Sequence, residues 1–81
     1  MHERKYTIKE DRIVKRSNEV PIPDDEPLFL FRAKDRKALA ALVAYNMILD
    51  NLDQKEAVTK AVNDFRRFQE EHPERMAEPT P

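Results

Sequence analysis

The side chains able to do chemistry are few and scattered. Histidine occurs twice, as His2 and His72 at opposite ends of the chain, and cysteine is absent. Metal sites draw on clustered His, Cys or carboxylate groups at set spacings, such as two histidines one helical turn apart. No such spacing occurs here, so neither histidine is read as a ligand. His72 stands at the end of a predicted helix, where a partly positive ring suits the dipole. Asp24, Asp25 and Glu26 are adjacent acids. A hard-cation loop needs ligands at spaced positions and a glycine turn, so the three read as a solvated loop. Ser17 is the single serine, and Thr7, Thr59 and Thr80 have no neighbouring base. Nucleophilic catalysis needs a base and an orienting group beside the nucleophile. The chain is therefore read as a non-enzyme, with no catalytic residue, cofactor or metal.

Glycine is also absent. Phosphate-cradling loops, nucleophile elbows and dinucleotide turns depend on glycine for positive φ and close backbone approach. All are excluded in their usual forms.

Charge carries more information. Fifteen basic and 16 acidic residues give a net charge of −1, which disfavours a generally basic nucleic-acid binder. One local exception is "RAKDRK", where Arg32, Lys34, Arg36 and Lys37 surround Asp35 for a net +3. Near Lys5, Lys9, Arg12, Lys15 and Arg16 of a predicted hairpin, this patch is a candidate surface for phosphates or nucleic acid. The plainer reading is solubilising charge, part of it paired with Asp24–Glu26. Arg66 and Arg67 have Glu70 and Glu71 four residues on, the spacing of a solvated, charge-laced helix face.

The elements that position these groups follow from hydrophobic spacing. "KYTIKEDRIVKR" (Lys5–Arg16) predicts two short strands around Glu10-Asp11, with Tyr6 and Ile8 on one face. With no Asn-Gly or Asp-Gly, a loose loop built on a type I turn is expected rather than a tight primed turn. "SNEVPIPDDEP" (Ser17–Pro27) predicts a solvated loop, its prolines removing backbone donors. "LFLFRA" (Leu28–Ala33) is the strongest strand signal, apolar on both faces and so expected to be covered on both sides.

A first helix is predicted from about Lys34–Asp35 to Asp50–Asn51, with Ala38, Ala41, Leu42, Tyr45, Ile48, Leu49 and Leu52 on its main face. Leu39, Val43 and Met47 form a second stripe, and Asn46 lies beside it. Asn51 is expected to end the first helix in the left-handed conformation. Asp53 followed by Glu56 is a capping-box pattern for a second helix, Gln54 to Glu71, which His72-Pro73 stops. Residues 1–72 are thus expected to form one α+β domain. Its small antiparallel sheet, a hairpin plus a third strand, would pack on an antiparallel two-helix hairpin. The proline-rich residues 73–81 read as a disordered tail.

The stretch "VPIPDDEPLFLFRAKDRKALAAL" (Val20–Leu42) resembles a pattern of small bacterial and phage proteins. Its parts are a proline-rich acidic loop, Glu-Pro, a hydrophobic strand, and Arg-Ala-x-Asp opening a helix. The resemblance implies a natural compact domain, and an accessory or regulatory protein fits it; it implies no chemistry.

A chain of this size is near the lower limit for an unaided core. The over-apolar first helix, the two-faced strand and the lack of a catalytic constellation together predict a protein-interaction module. It would bind a protein partner or itself as a homodimer, with Leu39, Val43, Asn46, Met47, Phe29 and Phe31 as the candidate interface. A nucleic-acid-associated protein using Arg32, Lys34, Arg36 and Lys37 is the alternative. The expected compartment is the cytoplasm, in keeping with the missing cysteines. The apolar run at 38–49 is too short to span a membrane, which takes about twenty residues.

Overall fold

The computed structural model describes residues 5–79. Two strands, β1 (Tyr6–Lys9) and β2 (Arg12–Lys15), are followed by two helices, α1 (Ala38–Met47) and α2 (Leu52–Glu71), and a 3₁₀ turn at Pro73–Arg75. The fold is α+β, but its sheet has two strands and not the three expected.

The hairpin is tighter than its sequence suggests. Lys9 is paired with Arg12, so only Glu10 and Asp11 make the turn, with φ of 52° and 62°. Both residues are left-handed, as in a primed two-residue turn, whose twist matches that of the strands. Strand twist has imposed this conformation in the absence of glycine, against a steric penalty of roughly 1 kcal/mol per residue.

The missing third strand has a specific cause. After Lys15 the chain reverses through Arg16–Glu19, with Glu19 at φ 58°, and runs back along the outer edge of β2. The Lys15 amide donates to the Val20 carbonyl at 3.0 Å, and the Ile22 amide donates to the Ile13 carbonyl at 3.0 Å. Val14 bridges antiparallel to Pro21. The expected solvated loop therefore occupies the edge that Leu28–Ala33 would have used. The pairing stays an isolated bridge, with the Val20 amide donating instead to Asn18 Oδ1 at 3.0 Å and the Ile22 carbonyl accepting from Arg12 Nη2 at 3.2 Å. Pro21 and Pro23 sit where no N–H towards β2 is needed.

Among the described residues, no backbone hydrogen bond involves Leu28 to Phe31. The predicted strand is instead an exposed segment with no sheet partner. The rings of Phe29 and Phe31 still meet edge-on, centroids 5.2 Å apart. Alternate side chains share one side, as in a strand.

Helix α1 is shorter than its apolar run. Its start is delayed because residues 34–36 are engaged elsewhere. The Arg36 amide donates to the Ala77 carbonyl at 3.0 Å, and the Ala77 amide donates to the Lys34 carbonyl at 2.9 Å. Asp35 forms a parallel bridge with Ala77, and its Oδ1 accepts the Lys37 amide at 2.7 Å. Residues 76–78, which composition assigns to a disordered tail over 73–81, are thus held against the entry to α1; Thr80 and Pro81 lie outside the described residues. The connection into α2 also differs from expectation. Asn51 is extended (φ −81°, ψ 128°) and caps α2, its side chain accepting the Gln54 amide at 3.0 Å. The spacing Asn51-x-x-Gln54 is a cap signature in its own right.

The helices are antiparallel: Asn46, near the end of α1, bonds Thr59 in the first half of α2, and Gln69, near the end of α2, reaches the Ala33 carbonyl. Packing is sparse. Among the described residues only Val14, Ala38 and Val62 are buried hydrophobic residues, and no large side chain is fully enclosed. No Cα of the hairpin strands lies within 8 Å of one in either helix, so the sheet does not rest backbone-close on the helical pair as expected. The Cα radius of gyration is 13.9 Å, against about 12 Å for a compact chain of this length. The accessible surface is 6771 Å², against roughly 5,100 Å² for a compact monomer of this mass. Apolar surface remains uncovered.

Candidate interaction surface

Helix α1 decides part of the question. Ala38, Leu39, Ala41, Leu42, Val43 and Asn46 are buried or half-buried, and at 3.6 residues per turn they fall within a single arc of about 200°. The two expected stripes are one continuous inward face. Asn46 looks inward too: its Nδ2 donates to Thr59 Oγ1 at 3.1 Å, its carbonyl accepts from Lys55 Nζ at 2.9 Å, and its buried Oδ1 has no partner among the described residues. Of the candidate interface residues on α1, Met47 alone is largely exposed. Tyr45, Ile48 and Leu52, expected on the core face, are exposed as well. Helix α1 ends at Met47 and α2 begins at Leu52, so this second apolar patch caps the inter-helix turn.

The other two candidates, Phe29 and Phe31, are exposed, Phe29 at 80%. Leu28 and Leu30 are exposed beside them, so both faces of the segment are bare. Unpaired N–H and C=O groups on an extended apolar segment form a template for strand addition.

The basic patch is partly committed within the chain. Arg36 Nε lies 3.9 Å from Glu78 Oε1, and its Nη2 reaches the Met76 carbonyl at 3.4 Å. From the hairpin, Arg12 holds Asp24 at 2.9 Å and the Ile22 carbonyl at 3.2 Å, and Lys9 pairs with Glu19. Arg32, Lys34 and Lys37 are exposed and form no ion pair among the described residues. The acidic triplet is divided in the same way: Asp24 is tied to Arg12, while Glu26 has no side-chain partner among the described residues.

His72 has a structural setting. Its ring packs on Phe68 with centroids 5.1 Å apart, the Arg75 guanidinium covers the same Phe68 ring at 4.7 Å, and Glu74 lies 3.6 Å from Nδ1. These contacts fasten the 3₁₀ turn to the end of α2. His2 lies outside the described residues. Among the described residues no three His, Cys, Asp or Glu side chains stand together to hold a metal ion, and no helix is long and apolar enough to cross a membrane.

Sequence reasoning missed the Arg36–Ala77 pairing and the Val14–Pro21 bridge, because neither is marked by residue type. No family model matches the chain, and comparison with curated proteins and with solved structures gives no significant similarity. The resemblance carried by Val20–Leu42 stands on those residues alone.

Proposed function

We propose that this chain is a non-enzymatic protein-interaction module that acts by presenting Leu28–Phe31 to another polypeptide. One observation carries the reading. Phe29 is 80% exposed at the centre of an apolar segment whose backbone bonds nothing among the described residues. Soluble monomers rarely leave a contiguous apolar stretch and an open backbone edge together, because that combination recruits strands. The exposed turn patch of Met47, Ile48 and Leu52 adds a second apolar surface. The polyanion reading is weaker, since Arg36 of its patch and Arg12 and Lys9 of the hairpin are held by internal partners.

A photo-reactive amino acid at Phe29 of the intact chain tests the proposal. Ultraviolet capture of a polypeptide from native lysate, or of the chain itself, is the expected result, with a probe at exposed Lys60 giving none. A folded Phe29 probe that captures nothing overturns the proposal.

A further inference from the structure

We propose, resting on the interaction-module reading, that Leu28–Phe31 pairs antiparallel with the same segment of a second copy, about a two-fold axis through Phe29. Charge order along the segment selects this occupant. The acids Asp24, Asp25 and Glu26 precede it, and Arg32 and Lys34 follow it. Parallel pairing of two copies would set acid against acid and Arg32 against Arg32. Antiparallel pairing reverses one copy, so each acidic flank meets a basic one.

The register follows from the individual positions. With Phe29 opposite Phe29, Leu28 faces Leu30, Pro27 faces Phe31 and Glu26 faces Arg32. Neither Glu26 nor Arg32 has a side-chain partner among the described residues, so both are available for cross-copy pairs. Asp24 would lie opposite Lys34, but it is already held by Arg12, so Glu26–Arg32 is the deciding pair.

Proline supports the same register. In an antiparallel ladder, hydrogen-bonded and non-hydrogen-bonded pairs alternate. If the Phe29 pair is non-hydrogen-bonded, so are the flanking Pro27–Phe31 pairs. Pro27 then needs no N–H towards the second copy. Leu28 and Leu30 direct their amides and carbonyls across the interface, and these groups have no backbone partner among the described residues. The aromatic side chains fall on one face, as the Phe29–Phe31 contact already shows.

The four apolar side chains expose on the order of 450 Å² per copy, short of the ~800 Å² per partner in a standard interface. The pairing is accordingly concentration-dependent. Sedimentation velocity on the purified full chain should show a monomer–dimer equilibrium below ~1 mM. Glu26→Arg and Arg32→Glu should each raise the dissociation constant ~10-fold or more, and the double variant Glu26→Arg/Arg32→Glu should restore it. The sequence has no cysteine, so Phe29→Cys supplies a single thiol on the axis, where Cα atoms ~4.5 Å apart meet disulfide geometry. It should oxidise to a covalent dimer much faster than Phe31→Cys, with far-ultraviolet circular dichroism showing both variants folded.

A chain that stays monomeric at ~1 mM, or a charge swap that fails to restore pairing, overturns the second-copy inference. If the Phe29 probe then captures a different protein, the interaction-module reading survives. If it captures nothing, both fall.

Discussion

Val14 is 4% exposed and bridges Pro21 antiparallel across the outer edge of β2. That relationship closes one edge of the hairpin to the most strand-like segment in the chain. Once Val20–Ile22 occupies this edge, Leu28–Phe31 cannot pair with β2. The Ile22 amide bonds Ile13 and the Lys15 amide bonds Val20, while a segment richer in β-formers is left bare.

Amide hydrogen exchange should expose this arrangement directly. Slow exchange is expected at Lys15 and Ile22, and fast exchange at Phe29 and Phe31 at every protein concentration. Protection of Phe29 and Phe31 equal to that of Ile22 would show that the segment pairs within the chain and would remove the basis for the proposed surface.

The Glu10-Asp11 turn holds two non-glycine residues at positive φ. Replacing them with Asn-Gly should stabilise the fold by about 1 kcal/mol, a rise in Tm of roughly 4–8 °C for a domain of this size. An unchanged or lower Tm in thermal denaturation would mean that the turn is not of the primed type.

The contact between Ala77 and the entry to α1 is open to a clean substitution. Met76 is already extended at φ −72°, ψ 140°, the conformation required before proline. Ala77→Pro should therefore remove the donor to the Lys34 carbonyl, at a cost of at least about 1 kcal/mol in chemical denaturation. Ala77→Gly keeps that donor and should lose less. If Ala77→Pro has no effect, the Ala77 pairing does not contribute to holding residues 34–36 at the entry to α1.

Asn46 places a buried Oδ1, unpartnered among the described residues, between the helices while its Nδ2 bonds Thr59. Removing a buried polar group together with its unmet demand is often neutral or stabilising. Asn46→Leu with Thr59→Ala should therefore raise stability by up to about 1 kcal/mol. A loss of more than ~1 kcal/mol would instead assign the amide a role in fixing how α1 and α2 align.

Much of the local structure was legible. The hairpin, the two helices, and the stop at His72-Pro73 follow from period-two and period-3.6 patterns and from proline's missing N–H, all local properties. Boundaries were less so. Asn51 was readable as a cap from the glutamine three residues on, but an equally good Asp53–Glu56 pattern competes with it one half-turn later. The primed turn was illegible because its usual glycine is missing and strand twist overrode residue preference.

What residue type alone determined here is the inventory: no glycine or cysteine, scattered imidazoles, an acidic flank before Leu28 and a basic one after Phe31. Tertiary structure decided which segment takes the edge of β2, which arc of α1 turns inward, and which charges stay free. Those choices depend on competition between distant segments for the same backbone groups and the same cover. A strand records its affinity for a sheet in its composition, but not whether another segment has reached the edge first.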